Sequence, residues 1–117
     1  HGYSREYTFY FEAKEMDEHG WVVGFGDLKK LEKYLLDMYD HTMIIAEDDP
    51  ELATFQELHK NGLCDLRIVP EASLESSAKA ALNKANEILT EMTKGRARCF
   101  KVEARENDKN SAIYTIS

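Results

Sequence analysis

The sequence predicts an α+β domain in which an antiparallel sheet carries its helices on one face. Three observations lead there. Apolar and polar residues alternate with a period of two near both ends of the chain, as in half-buried strands. Between them, apolar residues recur at helical spacing over two long segments. Finally, the strands come mostly in pairs set apart by helices, the order of an antiparallel sheet rather than of repeated strand–helix–strand units.

From Ser4 to Ala13 the residues Tyr7, Phe9, Phe11 and Ala13 fall on one side, with Glu6, Thr8 and Glu12 on the other. The charged turn KEMDEHG closes on Gly20, and Trp21 to Phe25 reads as the returning strand of a hairpin. Asp27 offers an N-cap for a helix whose apolar positions are Leu28, Leu31, Tyr34, Leu35 and Met38, ending near Tyr39. TMII is a short extended piece. Asp49 then caps a brief helix with Pro50 at its first position and Gly62 as terminator. LCDLRIV is a strand cut by Pro70. Ser73 caps the strongest helix, whose stripe runs Leu74, Ala78, Ala81, Leu82, Ala85, Ile88, Leu89 and Met92 to Gly95. Two strands flanking Asp108-Lys109-Asn110 close the chain as a hairpin. On the sheet's open face, Tyr10, Glu12, Lys101, Glu103 and Arg105 predict a polar surface where subunits or a ligand meet.

With 117 residues the chain, 1–117, makes one domain with one modest core. Hydrophobic residues at 43% and charged residues at 32% are the balance of a folded, soluble chain. No apolar run approaches the ~20 residues that span a bilayer, and no secretory signal is visible, so neither membrane nor export is expected. A net charge of −7 argues against a nucleic-acid binder, since phosphate neutralisation needs a basic surface, but leaves room for a small anionic substrate held by a local basic cluster. The only cysteines, Cys64 and Cys99, lie in apolar strand-like segments and read as reduced, packed thiols, which places the chain in the cytoplasm. The chain begins His1-Gly2-Tyr3 and enters a strand pattern almost at once. The expectation is that a first strand of the domain precedes it.

Nucleotide-enzyme and zinc-hydrolase signatures are absent: there is no GxGxxG, Walker loop, HExxH, GxSxG or CxxC. Two features could carry chemistry. Asp40-His41 puts a side chain with an ordinary pKa of about 6.5 beside a carboxylate able to fix its tautomer, although sequence neighbours often point apart. Glu103 sits mid-strand between Lys101 and Arg105. There a carboxylate is either a cross-strand ion-pair partner or a grip for a guanidine-like edge. The acids after His41 (Glu47, Asp48, Asp49 and Glu51) read as a solvated loop and helix start rather than a metal site. His1 is a zinc-ligand type, but one histidine makes no site. His19 and His59 read as surface residues.

Taken together, HGYSREYTFYFEA, GWVVGFGDLKK, DH, ASLESSA and KVEARENDKNSAIY resemble, in order and spacing, the 6-pyruvoyl-tetrahydropterin synthase and 6-carboxy-tetrahydropterin synthase family. The resemblance covers nearly the whole chain. It implies a tunnelling fold (T-fold) whose sheets join into a trimeric barrel, with trimers stacking into hexamers. It also implies a zinc-dependent lyase that eliminates triphosphate from 7,8-dihydroneopterin triphosphate, giving 6-pyruvoyl- or 6-carboxy-tetrahydropterin. On that reading Asp40 and His41 match the proton-relay pair, which serves a reactive cysteine across a subunit boundary. Glu103 matches the carboxylate that grips the pterin. Ser73 falls where the family has a threonine near the pterin, Glu75 where it has a glutamate, and His1 matches one zinc-ligating histidine. The departures are Tyr3 in place of a second zinc histidine, Gly24 in place of an aspartate and Ala104 in place of a threonine. The third zinc histidine and the reactive cysteine would both precede residue 1. If the protein starts at His1 it should be inactive. Two other readings stay open: a non-catalytic tunnelling-fold subunit that binds a pterin or purine, and a plain α+β assembly module.

Overall fold

Strand β1, Glu6–Ala13, shows why alternation is a dependable signal: every second side chain is exposed and those between are half-buried. The computed structural model describes residues 5–106 and 109–117. Beyond β1 the order is α1 (Phe25–Tyr39), β2 (Met43–Ala46), α2 (Leu52–Lys60), β3 (Leu66–Val69), α3 (Leu74–Thr93), β4 (Ala97–Arg105) and β5 (Ser111–Thr115). Strands β1, β4 and β5 form an antiparallel sheet with β4 in the centre. Helix α3 lies along β4 and β5, and α1 packs beside α3, so the α+β architecture matches the expectation. The described part of the last turn is closed by the Glu106 N–H donating to the Asn110 carbonyl at 3.0 Å.

The core is the seam between α3 and β4. Ser73 starts α3 by accepting the Ser76 N–H on its hydroxyl oxygen at 3.1 Å. From there Ala78, Ala81, Leu82, Ala85 and Leu89 turn one face onto the sheet. Small alanines let the helix approach closely, and fully burying Leu82 contributes about 1.5–3 kcal/mol. Only Met92, at the end of the stripe, lies exposed. Lys94 and Gly95, both at positive φ, turn the chain into β4.

Strand β4 carries an irregularity that decides which side chains face the core. Tyr10 pairs with Lys101 but Phe11 pairs with Cys99, so Phe100 is the extra residue of a bulge. Ala97 and Cys99 point inward before it, Val102 and Ala104 after it. Without the extra residue, strict alternation from Cys99 would send Lys101 and Glu103 into the core. Asn86 of α3 supports this place. Its amide donates to the Cys99 carbonyl at 2.9 Å and accepts the Cys99 N–H at 2.7 Å.

Four local expectations are corrected. Trp21 to Phe25 is not a strand. Asp17 folds the segment by accepting the His19 and Trp21 N–H groups at 2.8 and 2.9 Å, and Gly20 adopts φ +78°. The Arg96 guanidinium then takes the Glu15 and Val22 carbonyls at 2.7 and 2.8 Å. Asp27 is not the cap of α1 but sits inside its first turn, accepting the Gly24 N–H at 3.2 Å. Helix α2 starts later than Asp49, with Glu51 as its N-cap, because Asp49 spends its carboxylate on the Glu51 N–H at 2.8 Å. The strand within LCDLRIV shrinks to Leu66–Val69, which pairs with β2 in parallel, separate from the main sheet. That parallel pair has no counterpart in the sequence-based expectation.

Candidate functional site

The end of α1 sets the geometry of Asp40 and His41. The Asp40 N–H closes the helix onto the Leu36 carbonyl at 3.0 Å, and His41 follows at φ 56°. This left-handed backbone is uncommon for a residue with a Cβ and reverses the chain into β2. The Thr42 hydroxyl donates back to the Met38 carbonyl and holds the reversal. Nε2 of His41 lies 3.6 Å from Oδ1 of Asp40, with the two side chains 93% and 56% exposed. The neighbours therefore do face each other, as an open polar contact looser than a hydrogen bond.

Glu103 is brought to a different surface. It stands on the sheet face turned away from α3, between its strand partners Thr8 and Ile113. Its carboxylate accepts from the Arg105 guanidinium at 3.0 Å. On the same face Arg98 pairs with Glu12 at 2.6 Å and Lys101 lies over the Tyr10 ring at 4.7 Å. The expected polar surface is there, with two ion pairs, Arg105–Glu103 and Arg98–Glu12, and Lys101 set over an aromatic ring. Ser73 lies across the sheet from it, at the start of α3. Glu75 follows in the first turn, where a carboxylate suits the helix dipole. Within one chain the residues of the resemblance thus occupy three places: the end of α1, the open sheet face and the start of α3.

Ser73 borders a cleft of about 290 Å³ lined by the end of α1, the β2–β3 pair and the first half of α3. Sequence periodicity holds no sign of this cleft or of the group at its edge. Arg5 lies over the Tyr39 ring at 5.3 Å and donates to Glu106 at 3.4 Å, while Tyr7 and Tyr39 stack at 5.4 Å. Burial, then Tyr7 and Tyr34, push the Tyr39 phenol upward, so it stays protonated. Burial alone would lower the Arg5 guanidinium, but its hydrogen bond and charge contact with Tyr7, then Glu106, leave it raised. The one available hint was the run of Tyr39 directly into Asp40.

His59, expected at the surface, is exposed but engaged: its Nδ1 lies 3.1 Å from the Leu66 N and 3.2 Å from the Cys64 carbonyl oxygen. His19 is exposed and lies against Trp21. Both cysteines are free thiols, and burial pushes the Cys99 thiol up. Among the described residues no group of three or more His, Cys, Asp or Glu side chains could hold a metal ion. His1, the expected zinc ligand, and Tyr3 lie outside the described residues. The described residues by themselves do not fit a zinc centre. No described helix is long and apolar enough to cross a membrane.

Among solved structures, a protein of uncharacterised function from Wolinella succinogenes superposes with a TM-score of 0.80 at 18% identity, over 97% of this chain and 77% of that one. The 6-pyruvoyl tetrahydropterin synthase of Plasmodium vivax matches with a TM-score of 0.67 at 16% identity, over 99% and 82%. That of Plasmodium falciparum matches with a TM-score of 0.65 at 20% identity, over the same shares. At these identities the likeness shows the fold, the tunnelling fold expected from the sequence. No match is found among curated proteins. The model of one family, 6-pyruvoyl tetrahydropterin synthase, matches residues 1–117, and the chain belongs to that family.

Proposed function

We propose that the protein is a pterin-forming lyase that eliminates triphosphate from 7,8-dihydroneopterin triphosphate, giving 6-pyruvoyl-tetrahydropterin or, with loss of acetaldehyde as well, 6-carboxy-tetrahydropterin. The observation that carries this reading is the family match over residues 1–117, and with it a function of the pterin-synthase kind. In the proposed reaction a base takes a proton from a substrate side-chain carbon. The electron pair of that C–H bond forms a double bond as the C–O bond to triphosphate breaks, and the leaving group carries its pair away. His41 is the proposed proton acceptor, directly or through a relay, and Asp40 the carboxylate that steadies the resulting imidazolium. The approach of the His41 ring nitrogen to the Asp40 carboxylate, 3.6 Å, supports the pairing, since catalytic hydrogen bonds often tighten only with substrate bound. Glu103 is the proposed pterin anchor, exchanging Arg105 for the amino-pyrimidine edge, and Ser73 a second contact. Zinc has His1 as its single candidate ligand in this chain, so no step is routed through it. Assembly as a trimer or hexamer belongs to the same proposal.

One observation favours a second reading, a non-catalytic subunit that binds pterin: the His41 side chain is 93% exposed, far from the sheltered setting usual for a base. Turnover decides. Purified protein should release triphosphate from 7,8-dihydroneopterin triphosphate, and His41→Ala should slow that release by about 10²–10⁴ with pterin binding kept. Glu103→Ala should abolish pterin binding while the melting temperature stays put. Pterin binding without triphosphate release would select the second reading. Neither binding nor release would remove both.

A further inference from the structure

The Nδ1 atom of His59 stands where two incompatible bonds meet. It lies 3.1 Å from the Leu66 N, whose hydrogen points at it, and 3.2 Å from the Cys64 carbonyl oxygen. Accepting the Leu66 N–H needs a bare lone pair on Nδ1, whereas donating to the Cys64 carbonyl needs a hydrogen there. One ring nitrogen has one or the other, never both. Burial breaks the tie in the neutral ring. The Cys64 contact is exposed, so water can serve that carbonyl, while the Leu66 contact is partly buried and an unmet N–H there is costly. The place is the entry to β3. Between the two backbone partners, the Asp65 carbonyl accepts the Met43 N–H at 2.8 Å and joins β3 to β2. The charged groups nearby are otherwise occupied or turned aside. Asp65 and Arg67 pair with each other at 2.6 Å, and Arg67 reaches Asp37 of α1 at 3.5 Å. On α2 itself Glu57 and Lys60 are too near in sequence to share the face of His59, and Phe55 and Gln56, one turn back, are uncharged. Strand β2 carries no charge.

We propose that His59 is a proton-operated latch on the β2–β3 pair: neutral, it fastens the Leu66 N–H at the entry to β3, and protonated, it lets that entry go. The imidazolium has a hydrogen on each nitrogen. Nδ1–H and the Leu66 N–H then face each other as two donors 3.1 Å apart. The ring turns to the Cys64 carbonyl, and the Leu66 N–H loses its acceptor. The last turn of α2, where His59 stands, favours the cation because the helix dipole is negative there. Little else holds the strand pair, whose single buried side chain is Leu66 itself. The release reaches further than one bond. Ile44 of β2 and Val69 of β3 wall the cleft beside Ser73, and β2 begins two residues after His41. The inference concerns the order of this segment and does not depend on the proposed reaction.

The test is NMR of the full chain at about pH 8 and about pH 5.5, either side of the ordinary imidazole value of about 6.5. At the higher pH His59 should carry its proton on Nε2, and a scalar coupling should link the Leu66 amide nitrogen to Nδ1. At the lower pH both ring nitrogens should be protonated and the coupling gone. The protection factor of the Leu66 amide, corrected for intrinsic exchange, should fall about tenfold, as the neutral fraction of an ordinary imidazole does over that interval. Met43 should lose protection with it, while the amides of α3 and β4 keep theirs. His59 is exposed, so its variants should fold normally. His59→Asn puts an amide oxygen near the place of Nδ1 that no proton claims in this range, and should hold Leu66 equally at both pH values. His59→Ala should leave Leu66 weakly protected at both. A proton on Nδ1 at the higher pH would overturn the proposal. So would Leu66 or Met43 protection that ignores pH, wild-type pH dependence in His59→Asn, or an equal loss in α3 and β4. Failure of triphosphate release would touch the lyase reading alone.

Discussion

Along the seam of α3 and β4, Ala78, Leu82, Cys99 and Val102 expose 1% of their surface or less. In the stretch from β2 to β3, α2 has no buried residue and the strand pair buries only Leu66, at 9%. The first region is held by apolar burial, which is non-directional and involves no charges for salt to screen. The second is held by polar links. The Leu66 N–H reaches His59, and the Arg67 guanidinium spans Asp65 at 2.6 Å and the carbonyl and carboxylate of Asp37 at 3.1 and 3.5 Å. Exposed ion pairs are weak and are screened by salt. One chain thus combines a rigid platform with a segment that opens locally at lower cost, and Asp40-His41 lies where the two join.

The sharpest way to break this contrast is to cut into the platform. Leu82→Ala should cost about 2–5 kcal/mol in denaturant unfolding, whereas Ile68→Ala, at an exposed position of β3, should cost less than about 0.5 kcal/mol. Similar losses at the two positions would mean that stability is spread evenly. Next in size, Asn86→Ala leaves both backbone groups of Cys99 without their side-chain partner and should cost about 1–3 kcal/mol by the same measurement. The smallest effect tests the outlying segment directly. Arg67→Ala should speed amide hydrogen exchange in Met43–Ala46 and Leu66–Val69, as added salt should in the wild type, with the α3 and β4 amides unchanged. If α3 and β4 exchanged faster as well, the two regions would be one cooperative unit.

The same division governs how much could be read from the sequence. Period and burial coincide in β1 and α3, so their faces, caps and ends were legible from Tyr7, Phe9, Ser73 and Leu82. The 43–69 segment is short and polar-linked. Nothing in MIIA or LRIV says whether two four-residue strands run parallel, since pairing direction depends on contacts across the intervening helix. The false strand at Trp21 shows a similar limit: the Arg96 guanidinium, some 70 residues away in sequence, takes carbonyls that a partner strand would otherwise claim. For the site, the facing of Asp40 and His41 could be suspected from adjacency, and Glu103's outward position from its polar neighbours. The cleft could not, because its walls come from four separate elements.

The extra residue at Phe100 has a consequence for comparing this chain with others. A strand counts in twos, and one inserted position changes odd into even for everything after it. Whether the glutamate of KVEAR greets the solvent or the helix is therefore a matter of parity, fixed three residues upstream. A relative that lacked the insertion could keep every letter of that motif and still present its carboxylate to the opposite side. Matching letters is not enough for such a strand; the count between Cys99 and Glu103 must match as well.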